Sequence, residues 1–132
     1  MKISANIRSE FNYQETIVET DGVSKKMQML VKPNGYGSAI NGGELLLLAL
    51  ATCFCNDLYR EAAKREITIS SVDVECIGHF GEPGEAGSNF EYKTSIISDA
   101  SDEEVAALIK HTDEVAEVHN TLRKGLSINL VS

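Results

Sequence analysis

Long apolar runs are scarce in this sequence. The longest, residues 45–51, is far too short to cross a bilayer as a helix. Residues 1–8 alternate polar and apolar side chains and lack the apolar centre of a secretory leader, so the expected compartment is the cytoplasm. Basic blocks are missing too. Lys25-Lys26 and Arg123-Lys124 are the densest spots, and 12 Lys and Arg stand against 20 Asp and Glu, for a formal net charge of -8. Affinity for phosphate backbones needs a basic patch, so nucleic acid is not an expected partner. The acidic balance favours solubility instead. Cysteine is sparse: Cys53, Cys55 and Cys76 make an odd set, which argues against a disulfide scaffold. Cys53-Phe54-Cys55 is not a C-x-x-C, and His79, His111 and His119 stand at no ligand spacing from it. No metal site and no cofactor are therefore expected. There is no internal repeat, linker or low-complexity tract, so residues 1–132 read as a single domain.

What the sequence does have is ordinary globular material, 42% hydrophobic and 24% charged, enough for a core without staples. Residues 2–8 alternate, with Ile3, Ala5 and Ile7 on one side. A β-rich stretch from Phe11 to Val18 follows, Asp21-Gly22 signals a hairpin, and residues 26–31 return with Met27, Met29 and Val31 on one face. Pro33-Asn34-Gly35 marks a loop.

Asn41 and Glu44 then form the pattern of a capping box opening a helix of roughly two dozen residues. Its first half, through Leu45-Leu46-Leu47-Leu48-Ala49-Leu50-Ala51, is apolar all round and is expected to be buried on every side. Such a helix needs more cover than one sheet face supplies, which points to a dimer. Polarity returns from Asn56, leaving Leu58 and Ala62 inward. Residues 67–78 and 90–97 read as a strand pair, with a phase break at Ser70-Ser71 and a Gly-, Glu- and Pro-rich connection. Ser101 and Glu104 cap a second helix whose apolar stripe runs from Val105 through Leu108, Thr112 and Val115 to His119. Leu126, Ile128 and Leu130 alternate as a closing strand. The expected class is α+β in the order β-β-β-α-β-β-α-β.

The run Asn41-Gly42-Gly43-Glu44-Leu45-Leu46-Leu47-Leu48-Ala49-Leu50-Ala51-Thr52-Cys53 resembles the signature of the OsmC/Ohr family, in which an N-P-x-E-L-L-like start leads along a helix to an A-x-C. The element order and the segment from His119 to Leu126 are similar to that family as well. The resemblance implies an intertwined homodimer of thiol peroxidases, with two sites at the interface. Each uses a cysteine pair, supported by an Arg and a Glu, and needs no metal. Cys53 matches the peroxide-reacting cysteine and Glu44 the acidic residue of relatives reading x-x-E-L-L. The stretch where the family carries its second cysteine reads Ala116-Glu117-Val118-His119, without a thiol. Arg8 is the only N-terminal arginine, and the family arginine's role is not carried over to it.

A thiolate is the reactive species, and a free thiol has a pKa of about 8.5. Cys53 lies too far along its helix for the N-terminal dipole to help, and burial raises a thiol's pKa. It needs a donor from elsewhere, such as His119 or Arg123 of the partner subunit. The expected site is thus Cys53, Glu44 and His119. The expected activity is a one-cysteine reduction of organic hydroperoxides with an external thiol as reductant. The alternative is a dimer that binds a small apolar ligand and has lost the chemistry.

Overall fold

The computed structural model describes residues 1–131. It contains two compact units, Met1–Leu45 and the chain from Leu46 onward.

The first unit is an antiparallel meander of β1 (Ile3–Glu10), β2 (Tyr13–Thr20) and β3 (Val23–Lys26). Asp21 and Gly22 form the predicted two-residue hairpin between Thr20 and Val23. Their φ values of 46° and 84° are the positive pair that a right-twisting hairpin demands. A second turn, at Phe11-Asn12, interrupts what the sequence suggests is one β-rich stretch. Asn12 turns at φ 56°, a region that asparagine tolerates, and its N–H donates to the Gly35 carbonyl at 2.8 Å. The strand expected over residues 26–31 stops at Lys26. Beyond Met27, the backbone changes partner: the Leu30 carbonyl accepts from Ala39 at 2.8 Å and Val31 bridges Ser38, so this segment closes its own loop and does not extend the sheet. Every residue of β1 is exposed, Ile3 and Ile7 included.

The long helix α1 (Gly42–Lys64) starts as the sequence foretells: the Glu44 N–H donates to Asn41 Oδ1 at 2.8 Å and the Asn41 N–H to Glu44 Oε1 at 3.0 Å. Its first half departs from expectation. Of residues 45–51 only Leu50 is buried, and Leu48 is 53% exposed. A helix that is apolar all round needs neighbours on every side, and a single chain provides them on only part of it. The second half is amphipathic, burying Phe54, Leu58 and Ala62 at helical spacing.

In the second unit, β4 (Ile69–His79) and β5 (Ser88–Ser98) pair antiparallel, with the predicted irregularity between Ile69 and Ser71. Val72, Val74, Tyr92 and Ile96 point inward onto Phe54, Leu58, Ala62, Ile67, Leu108 and Ala116. Each fully buried large side chain here contributes about 1.5–3 kcal/mol.

The predicted second helix is two helices, α2 (Asp102–Val115) and α3 (Glu117–Lys124), broken at Ala116, whose φ and ψ of -70° and 110° are extended. No Gly or Pro marks the break. Two carbonyls near the end of α2 are instead recovered by α3 side chains: Asn120 Nδ2 donates to the Glu114 carbonyl at 3.0 Å and Arg123 Nη1 to that of Asp113 at 3.2 Å. The closing strand over Leu126, Ile128 and Leu130 does not form. Residues 126–131 join no strand among the described residues, and Ile128 and Leu130 are 90% and 101% exposed. Alternation alone cannot make a strand without an edge to bond to.

The cap of α2 supplies a clean test. Ser101 Oγ accepts from the Glu104 N–H at 3.2 Å and the Ser101 N–H donates back to Glu104 Oε1. Ser101→Ala is expected to cost about 1 kcal/mol in a urea titration, with an unchanged m-value.

Candidate functional site

The second half of α1 carries its acidic and basic residues three and four apart, so Cys53, Asp57, Arg60, Glu61 and Lys64 share one side of the helix. Across from it, the break at Ala116 turns the chain so that the first residues of α3 come up against Cys53. The thiol is half-buried and donates to Asp57 Oδ2 at 3.4 Å. Glu117 Oε2 lies 3.9 Å from the same sulfur. The stretch in which the resembling family holds its second cysteine does therefore meet Cys53. It brings a carboxylate and the Val118 backbone, not a sulfur.

Arg60 ties the group together. Its Nη1 is 3.1 Å from Asp57 Oδ1 and 3.2 Å from Glu117 Oε1, and its Nε donates to Glu61 Oε2 at 2.9 Å. Cys53, Asp57 and Glu117 present ligand-type atoms within 4.8 Å of one another, the one set among the described residues that could hold a metal ion. The Arg60 guanidinium already supplies a positive charge to both carboxylates.

Burial pushes the Cys53 thiol up from its ordinary value, the Val118 backbone hydrogen bond opposes this, and the charges of Asp57 and Glu117 push it further up. The protonated thiol therefore dominates at neutral pH. Asp57, only 5% exposed, is also raised, first by burial and then by the Glu117 charge. Glu117 is lowered, first by a hydrogen bond from its own backbone and then through Asp57 and Arg60. Of the two carboxyls, Asp57 is the readier to carry a proton, and it is the one bonded to the sulfur.

Glu61, 4% exposed, anchors the neighbouring turn. It accepts from Lys64 Nζ and Arg60 Nε at 2.9 Å each, and its other oxygen lies 2.9 Å from His111 Nε2. These partners outweigh burial and pull its pKa down to about 2, so it stays ionised and joins α1 to α2.

Within one chain, the other residues singled out from the sequence lie apart from this group. Glu44 is engaged in its helix cap with Asn41. His119, 4% exposed, packs against Tyr92 and Phe54 with ring centroids 4.6 and 5.6 Å apart, and neither ring nitrogen has a hydrogen-bond partner. Burial lowers its pKa, and the nearby Arg123 charge adds to this, so the ring is neutral. Arg8 pairs with Glu10 at 3.2 Å on the exposed β1. Cys55 faces a shallow cleft with Ala51 and Val74, and Cys55 and Cys76 are both free thiols. Asp57 and Arg60 were discoverable from the sequence, one and two helical turns beyond Cys53. Glu117 was not, because nothing local announces the break at Ala116.

Because the acidic neighbours favour the protonated thiol, Asp57→Asn removes one of the charges that hold the proton while keeping an acceptor oxygen on the side chain. The pH midpoint for alkylation of Cys53 by iodoacetamide is expected to fall in the variant, with faster labelling at pH about 8. An unchanged profile would remove Asp57 from the thiol's surroundings.

A family model described as OsmC-like protein matches residues 35–131. No curated protein matches the chain in sequence. Solved structures do. An OsmC-like protein from Mycoplasma pneumoniae superposes with a TM-score of 0.64 at 20% identity, covering 92% of this chain and 86% of that one. An OsmC-like protein of unknown function from Vibrio cholerae gives 0.63 at 15% identity, covering 91% and 92%. An organic hydroperoxide resistance protein OsmC from Legionella pneumophila gives 0.56 at 20% identity, covering 93% and 90%. At these identities the structures establish the α+β fold, and with the match over residues 35–131 the chain belongs to the OsmC-like protein family.

Proposed function

We propose that the protein is a one-cysteine, thiol-dependent reductase of organic hydroperoxides, acting in the cytoplasm as a homodimer. One observation carries the reading: the half-buried Cys53 thiol donates to the Asp57 carboxyl at 3.4 Å, so the nucleophile and its proton acceptor are already in contact. Hydroperoxide resistance proteins among the similar structures supply the substrate class.

In this scheme Asp57 takes the thiol proton as the sulfur attacks the terminal peroxide oxygen. The O–O bond breaks and its electrons leave with the alkoxide, which regains the proton from Asp57 as an alcohol. Cys53 is left as a sulfenic acid. With no second cysteine in the Ala116 to His119 stretch, an external thiol displaces water to form a mixed disulfide, and a second thiol releases Cys53. Arg60 holds Asp57 and Glu117 in place. Glu44 serves the helix cap, and His119 a wall behind Phe54. The raised Cys53 pKa favours the alternative, a binding protein without peroxidase chemistry. Native protein treated with cumene hydroperoxide and a sulfenic-acid trap separates the two. A fast adduct by intact mass, lost in Cys53→Ser, is the expected result. No adduct would leave the binding reading.

The dimer rests on apolar side chains that each unit leaves bare: Ile3 and Ile7 on β1 in the first, and Leu48 on α1 with Leu126, Ile128 and Leu130 in the second. A second copy is the occupant proposed for them, since the all-apolar first half of α1 finds cover on only part of its surface within one chain. Light scattering is expected to give about twice 14.4 kDa, and Leu48→Glu to shift it toward the single-chain mass.

A further inference from the structure

Behind Phe54 lies a half-open chamber of about 140 Å³, lined by Leu50, Phe90, Tyr92, His119, Leu122 and Arg123. Leu50, Phe90 and Leu122 give it apolar walls, Glu91 also lines it, and one buried polar group is left without a partner. His119 is 4% exposed and neither ring nitrogen has a hydrogen-bond partner. A buried polar group without a partner is destabilising by about 1–3 kcal/mol and calls for an explanation. Two neighbouring polar groups are engaged elsewhere: Tyr92 donates to Asp113, and Arg123 Nη2 donates to the same carboxylate at 2.7 Å.

We propose that this chamber binds a small neutral aromatic alcohol of phenol size, its ring against Leu50, Tyr92 and Leu122 and its hydroxyl bonded to the His119 imidazole, which turns on binding to bring one of its sealed nitrogens to the chamber wall. Size sets the first limit, since a dry apolar cavity of about 150 Å³ accommodates a benzene ring. Charge sets the second. Arg123 is neutralised by Asp113, and Glu91 is the other charged residue on the lining, so an anion finds no unpaired cation there. The imidazole sets the third. A neutral ring has one donor and one acceptor, which a hydroxyl complements from either side. Leu122 and Arg123, which line the chamber, stand exposed on the last turns of α3. Cys53 does not line the chamber, so this site is independent of the peroxide chemistry.

The test uses para-fluorophenol as probe, followed by fluorine NMR line width on the full-length protein, with fluorobenzene and para-fluorobenzoate as controls. Saturable broadening by para-fluorophenol is expected, displaced by phenol, with fluorobenzene about fivefold weaker and the benzoate weaker still. His119→Phe preserves a ring between Phe54 and Tyr92, and is expected to erase the preference for the phenol over fluorobenzene. Cys53→Ser is expected to bind as the native protein does, even though it cannot react with peroxide. Absence of saturable binding to folded protein, or an undiminished phenol preference in His119→Phe, overturns the proposal.

Discussion

Phe54, Leu58 and Ala62 must be kept from water, and the second unit is arranged to do it. The hairpin of β4 and β5 covers this stripe with Val72, Val74, Tyr92 and Ile96, while Leu108 and Ala116 close over it from the helical side. Once that packing is in place, the residues flanking the stripe have little freedom. Cys53 and Asp57 adjoin Phe54 and Leu58 on the helix, so they are delivered to the margin where the apolar core meets α3. Tyr92 and His119 reach Phe54 edge-on or tilted, and aromatic rings favour such arrangements over face-to-face stacking.

The margin is where the polar chemistry concentrates. Three carboxylates, Asp57, Glu61 and Glu117, surround one arginine, and their environments drive them apart: Glu61 is held firmly ionised, Glu117 is lowered and Asp57 is raised. Burial separates Asp57 from Glu117, although both form ion pairs with the same guanidinium nitrogen. A pair of carboxyls with unlike proton affinities beside a thiol is an arrangement suited to moving a proton.

Much of this was legible in advance where the signal was local. The Asp21-Gly22 hairpin, the caps at Asn41 and Ser101, the irregularity after Ile69 and the long helix bearing Cys53 all depend on residues within a few positions of one another. The features that escaped depend on distant partners. Residues 26–31 lose their sheet because Ala39 captures the Leu30 carbonyl. The helix through Ala116 breaks because Asn120 and Arg123 can satisfy the carbonyls left behind. Leu126, Ile128 and Leu130 have the alternation of a strand but no edge in their own chain. The site divides in the same way: Cys53 is readable from its motif, Asp57 was passed over although helical spacing places it one turn on, and Glu117 arrives through the tertiary break.

Helix α3 has eight residues, well short of the length at which a helix persists on its own in water. It is held by Ala116, His119 and the Arg123–Asp113 pair, so it is the natural candidate for the first part of the second unit to open and reclose. Such an opening would carry Glu117 away from the sulfur and the imidazole away from Phe54 together. One local event would therefore change the surroundings of the thiol and of the imidazole at the same time.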